Sequence, residues 1–325
     1  MKRLIVTCML MISTQATAGQ AADFSVDPDR VTVSGLSAGG QMAHQLHIAY
    51  SDLFSGAGII SGGPFGCAQG SLVTAMARCM GTSDPALSVE NLAGEIRTAS
   101  QGGQLADLSA LTDDEIWLFH GKLDTTVAEG VSDSLAALYA EFVPPENIRY
   151  VKDIEAAHTF PALDQGSACD SPQSPFVGDC DYDAAGDLLN HLYTGLKAPQ
   201  AEAENILVTV ALDGAAGAGL HETAYLFVPP ACSNRENACA LHLVLHGCAQ
   251  SSVQVGTAFI EQSGYLGWAG NNDIVLAFPQ VVPGPANPYA CWDWWGYTGA
   301  EYRWREGGQM KLLADWIRDL IPDGD

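Results

Sequence analysis

Arg30-Val31-Thr32-Val33-Ser34-Gly35-Leu36-Ser37-Ala38-Gly39-Gly40, continuing into Gln41-Met42-Ala43-His44-Gln45-Leu46, joins a β-branched run to a helix-forming run through Gly-x-Ser-x-Gly. This is the sequence form of a nucleophile elbow, a sharp strand-to-helix turn that holds a serine in the open. Gly35 and Gly39 flank the serine, where small residues let strand and helix approach and relieve a strained backbone. Ser37 then stands at a helix N-terminus, where free N–H groups and the helix dipole favour developing negative charge. So short a pattern also arises by chance, as a glycine-rich turn with an idle serine. Its weight rests on what the rest of the chain supplies.

Upstream of the elbow, Lys2 and Arg3, the apolar run Leu4 to Ile12 and the small residues Ala16-Thr17-Ala18 read as a secretory signal, residues 1–18, with cleavage after Ala18. The run is too short to span a bilayer. Of 325 residues, 14 are basic and 38 acidic; losing Lys2 and Arg3 takes two positive charges away and moves the formal charge from −24 to −26. Such a surface repels nucleic acid and anionic membrane, so neither is expected as a partner. Cys8 leaves with the leader, and eight cysteines remain, the even number expected of a disulfide-bonded exported protein. Close spacing suggests Cys67–Cys79, Cys169–Cys180 and Cys232–Cys239, which leaves Cys248–Cys291; spacing alone does not choose among the possible pairings. No Cys-x-x-Cys pair supports a zinc site.

Downstream, helices are expected over residues 41–50, in part of 88–105, over 132–142 and 183–196, and finally over about 308–320. Strands are expected over 56–60, 115–121, 148–154, 206–212, 224–228, 241–245 and 273–278. Strands alternating with helices indicate an α/β fold with a mostly parallel sheet and helices on both faces. The polar, alanine-rich stretch 197–205 reads as a surface linker within one domain, 19–325, with no separate substrate-binding domain.

An activated serine needs a base, and the base needs an orienting carboxylate. In α/β-hydrolases these follow in the order Ser, Asp, His, on loops after strands. Asp124 directly follows the strand Glu115-Ile116-Trp117-Leu118-Phe119-His120-Gly121, and His158 lies on a loop after the next strand. Asp153 and Asp164 are alternative partners for a histidine. His44 and His47, on the helix behind the serine, and His242, inside a strand, read as structural. An oxyanion hole completes the chemistry: one donor is the amide after the nucleophile, Ala38, and the other comes from a His-Gly loop after an early strand. Leu245-His246-Gly247-Cys248 is such a loop, but it follows the serine in the chain. Joining the C-terminal helix to residue 23 restores the order. The chain therefore reads as a circularly permuted α/β-hydrolase, with the Cys248 N–H as second donor.

The segments 33–40, His120-Gly121-x-x-Asp124, Ala157-His158-Thr159-Phe160-Pro161, Leu245-His246-Gly247-Cys248-Ala249-Gln250 and Asn287-Pro288-Tyr289-Ala290-Cys291-Trp292 together resemble secreted poly(3-hydroxybutyrate) depolymerases of the type whose oxyanion segment follows the serine motif. The resemblance implies a serine esterase that cuts 3-hydroxyalkanoate polyester, with Ser37, Asp124 and His158 as triad, Ala38 and Cys248 as oxyanion donors and no cofactor or metal. Many extracellular members continue into a linker and a polymer-binding domain. This sequence stops at Asp325, which favours amorphous polymer, oligomers or a periplasmic role; the exported protein, in the periplasm or medium, is expected to be a monomer.

A neutral aliphatic polyester offers no charge to grip, so recognition falls to apolar and aromatic surface. Trp292, Trp294, Trp295, Tyr297, Tyr302 and Trp304 crowd one window. Trp295 and Trp304 are the preferred substrate contacts. An acetyl xylan or feruloyl esterase shares the same chemistry, and an inactive polymer-binding protein would carry the same surface without it.

Overall fold

Thr32, Val33 and Ser34 alternate polar and apolar side chains along the strand that carries the elbow, and every one of them is buried. A strand buried on both faces belongs at the centre of a covered sheet. In the computed structural model, which describes residues 24–81, 88–200, 207–233 and 238–321, that is where it lies. The proposed leader, residues 1–18, and positions 201–205 of the linker fall outside the described residues.

Strands are β1 (Ser25–Leu36), β2 (Gly56–Ile60), β3 (Glu115–Phe119), β4 (Ile148–Val151), β5 (Phe160–Ala162), β6 (Ser167–Ala168), β7 (Val177–Asp179), β8 (Leu207–Ala211), β9 (Thr223–Phe227), β10 (Ala238–Leu245) and β11 (Ile274–Phe278). Eight of them form one sheet in the order β4-β3-β2-β1-β10-β11-β9-β8, and β5, β7 and β6 form a small second sheet. From β4 across to β11 all neighbours are parallel; β9 and β8 close the far edge antiparallel. Counted from β8 through the C-terminus and on into β1, the spatial order reads 1-2-4-3-5-6-7-8. In that count β10 is the third strand, and the loop after the third strand is where an α/β-hydrolase carries its second oxyanion donor. The order expected of a circular permutant is thus the order of the sheet.

Helices α1 (Ala38–Ala49), α2 (Val89–Gln101), α3 (Glu129–Tyr139), α4 (Ala184–Leu192) and α5 (Gly308–Leu320) cover the two faces. Met42, Leu46, Ile96, Leu135, Met310 and Leu313 pack with Val31 and Val33 on one side. Leu188 and Leu189 pack with Tyr265 and Phe259 on the other. Every residue of α1 is buried, as befits a helix enclosed by sheet and helices rather than laid on a surface.

The opposite face of β1 is polar. Ser34 Oγ meets His242 Nε2 at 2.8 Å and the Tyr265 hydroxyl at 2.7 Å, while Thr32 Oγ1 meets His242 Nδ1 at 2.6 Å and also the Tyr193 hydroxyl. The network pins β1 to β10 with each of these polar side chains partnered, which a buried polar cluster requires.

Element boundaries differ modestly from expectation. Helix α1 begins at Ala38, not 41, because the elbow itself is its first turn. Helix α3 begins at Glu129 and α4 ends at Leu192. The small sheet of β5, β6 and β7 was not expected at all: strands of two or three residues carry no readable periodicity.

Candidate active site

Ser37 links β1 to α1 with φ 57° and ψ −117°, a conformation that L-residues rarely adopt. Its carbonyl accepts the first helical bond from Gln41 N–H at 2.8 Å, and its own N–H donates to Ile60 of β2, also at 2.8 Å. The flanking glycines are steric necessities. A Cβ on Gly35 would sit 2.3 Å from the Gly39 carbonyl carbon, and one on Gly39 would sit 2.2 Å from the Leu245 carbonyl oxygen and 2.5 Å from that of His246. Glycine therefore does more than permit a turn here: it lets the segment after β10 lie against the elbow.

Asp124 and His158 come in from the far side, on the loops after β3 and β4. Gly121 allows this, since a Cβ there would meet the Ala156 carbonyl oxygen at 2.1 Å. The two loops are also stitched by the Lys122 N–H to Ile154 at 2.9 Å and the Leu123 N–H to Ala156 at 3.0 Å. The Ser37 hydroxyl donates to His158 Nε2 at 2.9 Å, and His158 Nδ1–H donates to Asp124 Oδ2 at 2.8 Å. Asp124 Oδ1 accepts the N–H groups of Thr126 at 2.8 Å and Val127 at 3.0 Å. Burial pushes the Asp124 carboxyl up, but the hydrogen bond and charge of His158 and the Val127 N–H outweigh it, holding the group below the usual carboxylate range. The carboxylate fixes the imidazole tautomer that leaves Nε2 free to accept the serine proton. Asp153 and Asp164, the alternatives, are not partners of His158.

Of the four amides from Gly247 to Gln250, that of Cys248 alone lacks an acceptor among the described residues. Gly247 N–H donates to Gln250 Oε1 at 2.6 Å, Ala249 N–H to the Tyr289 carbonyl at 2.6 Å, and Gln250 N–H to the Gly247 carbonyl at 3.3 Å. The Gly247 carbonyl, antiparallel to the Cys248 N–H across one peptide plane, also accepts from His246 Nδ1 at 2.7 Å. Val281 N–H donates to His246 Nε2 at 3.2 Å, so both ring nitrogens are committed to backbone and the ring is neutral; burial lowers its pKa to about 4. The Ala38 amide at the start of α1 is likewise without an acceptor among the described residues.

The structure holds the disulfides Cys67–Cys79, Cys169–Cys180, Cys232–Cys239 and Cys248–Cys291. The last ties the loop after β10 to the aromatic loop, and Trp292 Nε1–H donates to the His246 carbonyl at 3.0 Å beside it. Trp295 and Trp304 are both half-buried. Trp295 packs on Trp294 and Tyr297, and Trp304 lies 5.7 Å from Phe65 with the Arg303 guanidinium 4.4 Å above its ring. Neither shares a hydrogen bond or ring contact with Ser37, Asp124 or His158. Trp292 and Trp294 are core side chains. Among the described residues no cluster of His, Cys, Asp and Glu is arranged to hold a metal ion.

Sequence reading passed over the side chain of Gln250, which here ties two loops together. Its signal was present only as a glutamine two residues after Cys248, indistinguishable from a surface residue before folding.

A mostly parallel sheet with a strained serine elbow, an imidazole and carboxylate aligned behind it, and an amide without an acceptor at the start of its helix define an α/β-hydrolase of the serine-nucleophile type. The comparisons narrow this further. The family model described as Esterase PHB depolymerase matches residues 12–144. A poly(3-hydroxybutyrate) depolymerase of Delftia acidovorans is 40% identical over 92% of this chain and 61% of its own length. A polyhydroxybutyrate depolymerase of Talaromyces funiculosus is 34% identical over 95% of this chain and 94% of its own. A PHB depolymerase variant solved in complex with an R3HB trimer superposes with a TM-score of 0.87, at 34% identity, over 94% of this chain and all of that one. The PHB depolymerase of Penicillium funiculosum gives 0.86 over the same shares. This chain belongs to the PHB depolymerase family of esterases.

Proposed function

We propose that the chain is an exported serine esterase that hydrolyses the ester bonds of poly(3-hydroxybutyrate) or its short-chain oligomers. The observation that carries this reading is the continuous hydrogen-bonded line Ser37–His158–Asp124, at 2.9 and 2.8 Å, beside two amides without acceptors. The R3HB trimer in the complex of the related depolymerase supports the choice of substrate. Four disulfides support an oxidising compartment, reached by removal of residues 1–18, and the described residues support a single catalytic domain.

Ser37 Oγ attacks the ester carbonyl carbon as its proton passes to His158 Nε2. Asp124 stabilises the imidazolium that forms. The Ala38 and Cys248 amides receive the oxyanion, each worth about 3 kcal/mol by analogy with measured donors. His158 then returns the proton to the departing alkoxide, releasing the hydroxyl end of the cut chain and leaving an acyl group on Ser37. Water, deprotonated by His158, attacks that acyl carbon through the same geometry; His158 then gives the proton to the departing Ser37 oxygen, which frees the acid and restores the site. Trp295 and Trp304 are the aromatic surfaces we assign to the polyester.

The test compares wild type with Ser37→Ala on amorphous polymer film and on soluble trimers, with acetylated and feruloylated xylan as rival substrates. We expect release from polyester, none from xylan, and a loss of several orders of magnitude in the variant. Equal turnover by both proteins, or release from xylan alone, would overturn the reading.

A further inference from the structure

Gln250 is buried, does not line the reacting groups, and makes three hydrogen bonds to two separate loops. Its Oε1 accepts the Gly247 N–H at 2.6 Å. Its Nε2 donates to the carbonyls of Pro175 at 2.7 Å and Phe176 at 3.1 Å. The partners leave one orientation of the amide, because an N–H faces one end and two carbonyls face the other. The first arm holds the peptide immediately before the one that carries the Cys248 N–H. The second arm reaches the segment that supports the histidine: Phe160, two residues past His158, donates its N–H to the same Phe176 carbonyl at 2.9 Å. Phe176 has φ 58°, a backbone conformation uncommon outside glycine, so its carbonyl is directed by its surroundings and not by local preference.

The oxyanion segment and the histidine loop lie on opposite sides of the elbow and share no strand pairing: one follows β10, the other β4, with β1, β2 and β3 between. We propose that Gln250 is a positioning residue for ester hydrolysis, a clamp that sets the Cys248 amide against the His158 imidazole by bonding the backbone on both sides. A glutamine suits this task because its neutral amide offers an acceptor and a two-proton donor at once. Methionine would fill the volume with neither. A glutamate would keep the acceptor for Gly247 and present an oxygen to two carbonyls.

This inference rests on the serine-esterase reading, and the experiment separates the two. Wild type, Ser37→Ala, Gln250→Met and Gln250→Glu are assayed on a soluble p-nitrophenyl butyrate substrate, with inhibition by an alkyl boronic acid, whose tetrahedral adduct on serine places an oxygen where the oxyanion forms. In Gln250→Met we expect kcat to fall by about tenfold to a hundredfold, the scale of a small misplacement, with KM within about twofold. Boronate affinity should weaken in step with kcat/KM, which a loss of folded protein would not produce. Gln250→Glu should lose at least as much as the methionine variant, because its second oxygen would face the Pro175 and Phe176 carbonyls, and it carries the same comparison if the methionine variant does not fold. Turnover within about twofold of wild type in both variants, or lost turnover with unchanged boronate affinity, would overturn the clamp while leaving the esterase intact. Failure of the wild type to hydrolyse the ester, or retention by Ser37→Ala, would remove both.

Discussion

At Ser37, backbone strain, a helix N-terminus and an imidazole converge on one oxygen. Removing that oxygen in Ser37→Ala should leave the fold intact and lower kcat by about six orders of magnitude, as in comparable serine hydrolases, measured by product release after the signal has been corrected for contaminating esterase. Asp124→Asn changes one atom but offers the imidazole the wrong partner, so kcat should fall by about 10⁴ with little change in KM. The same substitution bears on stability. Asp124 has its pKa lowered in the folded state. Its contribution is therefore complete above the ordinary carboxylate pKa and disappears as pH falls through the lowered one. In urea titrations the gap between wild type and Asp124→Asn should be constant near neutrality and narrow below about pH 4. A gap that widened in acid would contradict the assignment of the lowered pKa.

At the level of elements, the site exists because β1, α1 and the end of β10 touch without side chains between them. Gly39→Ala tests this directly. Its new methyl carbon would lie 2.2 Å from Leu245 O and 2.5 Å from His246 O, both backbone atoms that cannot rotate away. Strand and helix must separate, at a cost of about 3 kcal/mol or more, and the loop after β10 must move with them. The expected result is a drop in thermal midpoint together with loss of activity beyond what the unfolded fraction explains. An alanine variant with wild-type midpoint and turnover would show that the close approach is dispensable. By contrast, the small sheet of β5, β6 and β7 borders the histidine loop through Phe160, whose N–H donates to the Phe176 carbonyl just before β7, a contact invisible in any single strand.

Across the whole molecule, three histidines are buried and neutral: the pKa of His44 is lowered to about 3, of His242 to about 3 and of His246 to about 4, each chiefly by burial. Unfolding frees them to take up protons at their ordinary pKa of 6.5, so stability is complete above that value and declines as pH falls below it. Each should contribute a slope of about 1.4 kcal/mol per pH unit well below 6.5. Unfolding free energies measured from pH 7 to pH 4 should show this decline, and His242→Phe should be less stable throughout but flatter in slope; an equal slope would refute it. As for what was readable beforehand, Gly35, Ser37 and Gly39 announced the elbow because local backbone strain demands local residue types. Asp124 and His158 were legible because each follows an apolar strand, and periodicity survives in one dimension. The late position of His246-Gly247-Cys248 even betrayed the altered chain order. Gln250, the neutral tautomer of His246 and the packing of Trp295 and Trp304 were not legible. Their meaning lies in partners distant in the chain, 75 residues away for Gln250 and Pro175 and farther still for Trp304 and Phe65. Short-range propensity writes strands, helices and turns into the sequence; which buried amide is paired and which is left free depends on where distant backbone arrives, and folding alone decides that.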